Sequence, residues 1–506
     1  MPNKTTGRRK RRSREDRQAE RDGLTTPQRP TLVRKIADYD PYDEAFIEEI
    51  HEAAMRVIET LGIEFRDDES LEYWKTAGAT IDGANVRVSR EVILDLISKA
   101  PSEFDLHARN PERTVRIGGR NTVNSPGYGA PFVQDFDGKR RPSTFEDLCN
   151  FYKLTHVAPS LHINGGVTVE PQDIDIDLRH LHMVQAAFQL SDKPVLGPVT
   201  SKERAQDAMD MAKLVFGAEF VDQNAVIVGL INSNAPRVWD ETMLDAMKVY
   251  ARNNQVFMAS TFTMIGASMP ANGPAAMAVS VAEALSAIAL TQIIRPGAPV
   301  ILGIPSGAMS MRTGAPVGSS PLLGNFKMLA AQMSRFYKLP LRTTAHSTSS
   351  KWCDIYAGID STLSGVTTHL SGANFIVHCA GMIDSLLTMS YMKFGIDIEL
   401  TEIMHELMTG MDFESADTMI DLIKNVEPGG HYIGEEYTRT HIHFTSRLQD
   451  YNTYEQWLEE GSINADVRGL AHTRRLLDSY QQPEMDSDIT HSLNDFVERR
   501  SKEISG

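Results

Sequence analysis

The sequence predicts an α/β fold, a TIM-type (β/α)8 barrel that carries an N-terminal helical and β-rich extension. After Pro142, short apolar runs alternate with amphipathic helical patterns, the order of elements found in a parallel β/α fold. Seven such runs occur, and no G-x-G-x-x-G turn follows the first of them, so a closed barrel is favoured over an open dinucleotide-binding sheet. The pattern leaves the eighth strand unidentified.

The segment before Pro142 has a different pattern. Apolar residues recur at three- and four-residue spacing over 44–61 and Gly62 follows, so we predict an amphipathic helix that ends there. A strand is predicted at 86–88 and a second helix at 90–99. Residues 103–136 alternate in polarity and contain glycine-rich turns, which indicates a set of hairpins.

The barrel region begins with a predicted helix, because Ser143 and Glu146 have the spacing of a capping box. The seven strands are predicted at 161–169, 194–199, 225–231, 256–263, 299–304, 340–345 and 374–378. The helices that follow the first six strands are centred near Met183, Met209, Met243, Ala284, Met328 and Leu363. We therefore divide the chain into a disordered basic arm (1–40), an N-terminal α+β subdomain (41–142), the barrel (143–480) and a C-terminal tail (481–506).

Composition limits the classes of function. The chain has 506 residues, is 41% apolar and carries a net charge of −16, which is ordinary for a large globular protein and argues against a nucleic-acid surface. A basic cluster at 8–14 is expected to be solvated. We predict no membrane span and no signal peptide. Three scattered cysteines predict no disulfide framework, so we expect a cytoplasmic protein.

The functional site is expected at the carboxyl ends of the strands, where ligands bind in parallel α/β folds. This rule points to residues 306–314 and 346–356, which follow two neighbouring strands. Aromatic side chains near predicted loops could surround a quaternary ammonium ion, which aromatic faces attract. The aromatic candidates are Tyr128, Phe132, Trp352, Tyr356, Tyr391 and Phe394.

Other chemistries have weaker signals. His180 and His182 point to different sides of a helix, so they cannot bind one metal ion together. His162, His441 and His443 do not add up to a known metal-binding motif, and we therefore predict no intrinsic metal. Cys353 lacks the local signature of a nucleophile. Lys351 leaves open a barrel lyase or aldolase that forms a Schiff base.

Five separated segments resemble, in order, the trimethylamine methyltransferase (MttB) superfamily. They are PGAPV at 296–300, MRTGA at 311–315, LPLRT at 339–343, LSGAN at 370–374 and EPGGH at 427–431. The resemblance extends from about Ile50 to about His443 and implies a β/α barrel. The founding members carry pyrrolysine. This sequence contains only ordinary residues and is similar to the non-pyrrolysine members, some of which demethylate glycine betaine or related quaternary amines.

The resemblance implies transfer of a methyl group from a small quaternary amine to Co(I) of a corrinoid (cobalamin) carried by a separate protein. A quaternary nitrogen leaves as a neutral tertiary amine, so no acid is needed and the protein is expected to position the substrate only. On this hypothesis aromatic residues surround the cationic head, and the carboxylate of a betaine is met by His346 and Arg312. The full set of predicted substrate-binding residues is His346, Tyr356, Trp352, Tyr391, Arg312 and Asp354.

Two alternatives stay open besides the lyase. One is a catalytically silent barrel that binds a betaine or a corrinoid protein, and the other is a methyltransferase for a different methylated amine. In each case we expect a homo-oligomer, since these are common among barrel enzymes.

Overall fold

A ring of parallel strands, each followed by a helix, forms the centre of the protein in the computed structural model, which describes residues 31–198, 200–441, 446 and 448–506. The predicted TIM-type barrel is confirmed, and all seven predicted strands are present. The strands are β1 (Asn121–Asn124), β2 (Asn164–Gly165), β3 (Val195–Leu196), β4 (Ile227–Asn232), β5 (Val256–Ser260), β6 (Val300–Gly303), β7 (Leu341–Thr344) and β8 (Phe375–Val377).

The strand that the pattern did not identify is β1. It pairs in parallel with β8, with Val123 opposite Phe375 and Asn124 opposite Ile376. On its other side the Asn124 carbonyl accepts a 2.8 Å hydrogen bond from the His162 amide, just before β2. The backbone amide of Asn124 in turn donates to Nδ1 of His162 at 3.0 Å. The first barrel strand therefore lies inside the segment assigned from the sequence to the N-terminal subdomain.

Eight helices surround the strands. They are α1 (Phe145–Val157), α2 (Arg179–Leu190), α3 (Lys202–Phe216), α4 (Glu241–Arg252), α5 (Gly273–Ile294), α6 (Pro321–Phe336), α7 (Ile355–Leu370) and α8 (Tyr391–Thr409). The predicted capping box of α1 is wrong by one residue, since Thr144 and Asp147 form it. The Ser143 hydroxyl donates instead to the carbonyl of Glu170, which anchors the loop after β2.

Two hydrophobic clusters follow from the strand geometry, because successive side chains point to opposite faces. The inner cluster fills the barrel, and its larger members include Leu196, Met258, Ile301 and Phe375. The outer cluster joins the strands to the helices and continues into the N-terminal segment. The barrel is therefore a packed core rather than a pore, and open space is expected only at its ends.

The N-terminal segment covers one side of the barrel. Its helices are Glu44–Arg56, Asp68–Thr76 and Arg90–Ile97, and a small sheet contains Ile63–Arg66, Thr80–Asp82, Asn85–Arg87 and the later strand Val238–Asp240. The hairpin Glu103–Leu106 and Val115–Gly118 leads into β1. Leu32–Val33 also pairs with β1, so residues 31–39 pack on the barrel although composition assigns them to the disordered arm. The predicted basic cluster at 8–14 lies outside the described residues.

The C-terminal helices pack outside the ring. Helix α9 (Ala465–Asp478) crosses α8 closely, because Gly395 and Gly469 leave room for the two backbones. Helix α10 (Ser487–Ser505) covers α2 and α3, and Arg500 pairs with the buried Asp207 at 2.8 Å. Short helices also occur at Ala218–Gln223, Ala416–Ile423, Glu436–His441 and Tyr454–Glu459.

Two small sheets lie beyond the carboxyl ends of the barrel strands. One contains Thr263–Ile265, Ser306–Met309 and Pro316–Val317, which follow β5 and β6. The other contains Phe132–Gln134, Arg140–Pro142, Met382–Ile383 and Thr388–Ser390, which follow β1 and β8. We call this end of the barrel the rim.

Helix α5 bears on the prediction that the chain has no membrane span. With 22 residues and a mean hydropathy of 1.7 in its most apolar window, it is long and apolar enough to cross a membrane, although we predicted no such segment. In the structure 83% of that window is buried within the protein, so packing accounts for its composition. The predicted cytoplasmic location stays a prediction.

Glu283 is the one acidic residue of α5, and it is fully buried. Its carboxylate accepts hydrogen bonds from the Ser233 hydroxyl at 2.7 Å and from the Arg237 amide at 2.5 Å. Burial raises the pKa of Glu283 from 4.5 to about 7, against the opposing effect of these donors. The native state therefore holds a proton that the unfolded chain releases at a lower pH.

This proton predicts a pH dependence of stability. Between about pH 4.5 and 7 the free energy of unfolding should fall as pH rises, with Glu283 contributing up to about 1.4 kcal/mol per pH unit. Glu283→Gln keeps the shape and cannot titrate, so its urea midpoint should change less than that of the wild type between pH 5 and pH 7. Equal changes in both proteins would contradict the assignment.

Candidate functional site

Several of the buried polar atoms that lack a protein partner lie at the rim. Within the described residues they include the hydroxyls of Ser125, Tyr128, Thr261 and Ser306 and the Nε of Arg342. These residues lie on, or just after, β1, β5, β6 and β7. Buried polar groups are normally hydrogen-bonded, and the exceptions mark places that water or a ligand completes. The rim is therefore the candidate site.

Arg342 carries the charge of this site. It lies on β7 in register with Gly303 of β6, which is in register with Ser260 of β5. Because Gly303 has no side chain, the guanidinium can extend across β6, and its Nη1 donates to the Ser260 hydroxyl at 3.3 Å. Arg342 is 3% exposed, and no carboxylate among the described residues pairs with it. Burial lowers the pKa of Arg342 to about 9, so the guanidinium still carries its charge at neutral pH.

Tyr128 lies next to Arg342 in the loop after β1. The residue is partly exposed, but its hydroxyl is buried and has no protein partner within the described chain. Its ring packs on Gly166 and on the inner cluster of the barrel. Burial raises the pKa of Tyr128, and the nearby Arg342 charge partly opposes this effect. Tyr128 therefore presents a buried, neutral phenol at the rim beside Arg342.

His378 follows β8 and completes the group. Its Nδ1 accepts a hydrogen bond from the Tyr128 amide at 3.2 Å, and its backbone has a φ of 66°. Burial is the main cause that holds the pKa of His378 well below its usual value, and the charges of Arg342 and Lys327 add to it. The imidazole is therefore neutral, and Arg342 provides the positive charge of this group.

Two of the residues predicted from the sequence lie between strands and helices. His346 is fully buried, donates from Nδ1 to the Cys379 carbonyl at 2.9 Å, and packs against Gly365 of α7. Tyr391 begins α8 and is 1% exposed. Its ring stacks on Phe136 and Phe151, and its hydroxyl donates to Asp147 at 2.9 Å. Neither side chain reaches Arg342 in this arrangement.

The other four predicted residues lie on the surface. Arg312 is exposed in the turn after Ser306–Met309. Trp352 is 41% exposed and covers Gly138, while Asp354 caps α7 by accepting a 2.8 Å hydrogen bond from the Ala357 amide. Tyr356 is 70% exposed on the first turn of α7. The predicted aromatic box of Trp352, Tyr356 and Tyr391 is therefore not assembled in this structure.

The alternative chemistries gain no support from the geometry. Lys351 has a 74% exposed side chain that lies 3.5 Å from Asp384, an environment unlike the buried lysines that form Schiff bases. Burial raises the pKa of the Cys353 thiol to about 12, which disfavours the nucleophilic thiolate. Across the described ranges, no group of three His, Cys, Asp or Glu side chains is placed to hold a metal ion.

A cavity of about 230 Å³ lies beside the rim, between α2 and the ends of β2 and β3. Two arginines line it, but each has a carboxylate partner. Arg179 lies 3.7 Å from Glu170, and Arg204 lies 3.3 Å from Asp177. These charges are already balanced, so the cavity does not match Arg342 as a place for an anionic group.

The sequence analysis includes Tyr128 and Arg342 but gives no role to Arg342. Tyr128 was one of the aromatic candidates, and Arg342 falls inside the segment LPLRT at 339–343. A usable signal was present, because Arg342 is a charged residue in a short run that was predicted to be a buried barrel strand. Charged residues are rarely buried without a partner, so the sequence could have predicted that Arg342 contacts a ligand.

Comparison with known proteins decides the family. The sequence model of the trimethylamine methyltransferase (MTTB) family matches residues 7–505. The chain belongs to the trimethylamine methyltransferase family. The resemblance of the five segments is thereby confirmed, and the chain is a methyltransferase.

Two relatives narrow the comparison within the trimethylamine methyltransferase family. A glycine betaine methyltransferase from Desulfitobacterium hafniense (strain Y51) is 37% identical over 473 residues, which cover 93% of this chain and 98% of the relative. A proline betaine:corrinoid methyltransferase from Eubacterium limosum is 30% identical over 421 residues, which cover 80% and 86%.

A solved structure supports the fold. The crystal structure of the monomethylamine methyltransferase MtmB from Methanosarcina barkeri superposes with a TM-score of 0.52 and covers 88% of this chain and 90% of its own. At 11% identity, this likeness concerns the fold alone.

Tyr391 provides a test that separates packing from substrate contact. Tyr391→Phe removes the hydrogen bond to the buried Asp147, so the free energy of unfolding should fall by about 1–3 kcal/mol. The KM for the methyl-donor amine should not change. Tyr356→Phe is the matched control, because its exposed hydroxyl should affect neither quantity. A higher KM for Tyr391→Phe with unchanged stability would place Tyr391 in the substrate site.

Proposed function

We propose that this methyltransferase moves a methyl group from a small quaternary amine that carries a carboxylate, such as glycine betaine, to Co(I) of a corrinoid on a separate protein. The observation that carries the substrate class is the buried, unpaired Arg342 at the rim. The names of the two relatives, a glycine betaine and a proline betaine methyltransferase, support the same class.

The carboxylate has a physical reason to bind at Arg342. A buried cation without a counter-charge is costly, and a carboxylate that enters the site supplies the missing charge. Guanidinium and carboxylate groups match in shape and can form two parallel hydrogen bonds. Within the part of the chain that the structure describes, Arg342 has only the long hydrogen bond to Ser260, and its Nε is buried without a partner, so it is available to a ligand.

The quaternary ammonium end would then face outward from the rim. Tyr128 supplies an aromatic surface beside Arg342, and Phe262, which is 43% exposed, follows β5 at the same rim. A cation without N–H groups cannot donate ordinary hydrogen bonds, so aromatic faces are its natural contact. Arg312 and Trp352 lie farther out and are proposed as contacts for the corrinoid protein.

The transfer needs no acid from the protein. The bond between a methyl carbon and the nitrogen breaks, its electron pair stays on nitrogen, and a neutral tertiary amine leaves. The electron pair of Co(I) forms the new bond to carbon. The chain contributes position, because a carboxylate held at Arg342 orients the ammonium outward from the rim. Such orientation can lower the activation free energy by roughly 7–11 kcal/mol at best.

The reaction is tested by following the absorbance of Co(I) corrinoid protein as it becomes methyl-Co(III). The panel contains glycine betaine, proline betaine, carnitine, choline and trimethylamine. We expect turnover of a carboxylate-bearing quaternary amine and none of trimethylamine. Tight binding of a betaine with no methyl transfer would instead support a silent binding protein.

Arg342→Met tests the role of the guanidinium in the same assay. Loss of hydrogen bonds to a charged group, about 1.5–3 kcal/mol, should lower kcat/KM for glycine betaine about 10- to 150-fold. Binding of choline, which has no carboxylate, should change little. The variant should fold, because an apolar side chain of similar length replaces a buried, unpaired charge.

Lys327→Met is the matched control. Lys327 is also a buried basic residue, but burial lowers its pKa to about 7, and it lies on α6, where it donates to the Ser364 hydroxyl at 2.7 Å. Its removal should leave the preference for glycine betaine over choline unchanged. Equal losses for both ligands in Arg342→Met would contradict the proposed carboxylate contact.

A further inference from the structure

One polar side chain inside the barrel has no role in the site described above. Asn232 is the last residue of β4 and is partly exposed. Leu230, two residues earlier, belongs to the inner cluster, whereas the Ser233 hydroxyl points outward and donates to Glu283 of α5 at 2.7 Å. Because successive side chains of a strand alternate between its two faces, Asn232 faces the interior of the barrel.

The exposure of Asn232 shows where the interior can be reached from outside. The layer directly beneath it contains Leu230, Met258 and Ile301, which are in register and buried. Solvent therefore reaches Asn232 from the rim and not through the barrel. A small molecule that enters the barrel at the rim meets this side chain in the last layer before the apolar core.

Asn232 lies in the same layer as Arg342. It is in register with Ser260 of β5. Arg342 reaches the same serine from the other side, across Gly303, and its Nη1 lies 3.3 Å from the Ser260 hydroxyl. Since neighbouring strands lie about 4.8 Å apart, the guanidinium and the Asn232 amide flank one serine, and a single carboxylate can contact both.

The side-chain amide of Asn232 is available to such a ligand. It forms no hydrogen bond with any other residue that the structure describes. Asn234, two residues later, has a structural role instead, because its Oδ1 accepts a hydrogen bond from the Asp240 amide at 3.2 Å. Stabilisation of the loop after β4 therefore accounts for Asn234 and does not account for Asn232.

We propose that Asn232 is a specificity-determining residue, whose Nδ2 donates a hydrogen bond to the carboxylate that Arg342 binds. This inference rests on the proposed function. A carboxylate has about four lone-pair sites on its two oxygens, so it can accept from a guanidinium and an amide together. Hydrogen bonds to a charged acceptor are roughly twice as strong as neutral ones, so the contact favours a carboxylate over the hydroxyl of choline.

The opposite orientation of the amide makes a different prediction. With Oδ1 toward the quaternary ammonium group, Asn232 would contact the cation and not the carboxylate. Asn232→Asp keeps the shape of the side chain and replaces the donor with a negative charge. That charge repels a carboxylate and attracts an ammonium ion, so one substitution separates the two orientations.

Calorimetric titration of the full chain with glycine betaine and with choline tests the proposal without a corrinoid protein. In Asn232→Ala the Kd for glycine betaine should rise about tenfold or more, and in Asn232→Asp it should rise further. The Kd for choline should change less than about threefold in Asn232→Ala, because a neutral hydrogen bond contributes less. Ser233→Ala is the matched control, since its side chain points outward, and it should leave the preference for glycine betaine unchanged.

The outcomes separate the role of Asn232 from the proposed function, provided that circular dichroism shows each variant to be folded. An unchanged preference in both Asn232 variants, with the preference lost in Arg342→Met, would overturn the role of Asn232 alone. Tighter binding of glycine betaine by Asn232→Asp would also overturn it and would place the amide at the ammonium group. A wild type that binds glycine betaine no more tightly than choline would overturn both the role of Asn232 and the carboxylate site.

Discussion

A closed ring of parallel strands constrains every other part of this protein. Because all eight strands run in the same direction, their carboxyl ends meet at one rim, and residues far apart in the chain become neighbours there. Tyr128, Ser260, Arg342 and His378 come from four separate strands or their loops and form one group for this reason. The ring depends on β1, which links β8 to the segment before β2.

The positive charge of Arg342 at the rim has no counter-charge among the described residues. Packing and hydrogen bonds satisfy most buried charges in the described chain, such as Lys193, which donates to three backbone carbonyls. Arg342 and Lys327 differ from Lys193, because each donates only to a hydroxyl among the described residues, and of these two it is Arg342 that lies on a barrel strand. A substrate that brings its own carboxylate would balance this charge, and its ammonium group would then lie where a methyl acceptor can approach.

Much of the fold could be predicted from the sequence, because apolar runs and helical periodicity are local signals. β1 was missed because its residues, Asn121-Thr122-Val123-Asn124, are mostly polar and follow a hairpin. The rule on strand ends points to the same rim where the candidate site lies. The packing of His346 and Tyr391 could not be predicted in the same way, since it depends on contacts between α7, α8 and α1 that periodicity does not specify. For Arg342, the sequence indicated only that a charged residue lies in a strand predicted to be buried.

The most direct measurement is a crystal structure of the protein with glycine betaine bound. The account predicts the carboxylate within ~3 Å of the Arg342 guanidinium and the trimethylammonium group beside Tyr128, facing the opening of the rim. A ligand bound at Trp352 and Tyr356 on the surface, or in the cavity beside Arg179, with Arg342 still unpaired, would contradict the central claim.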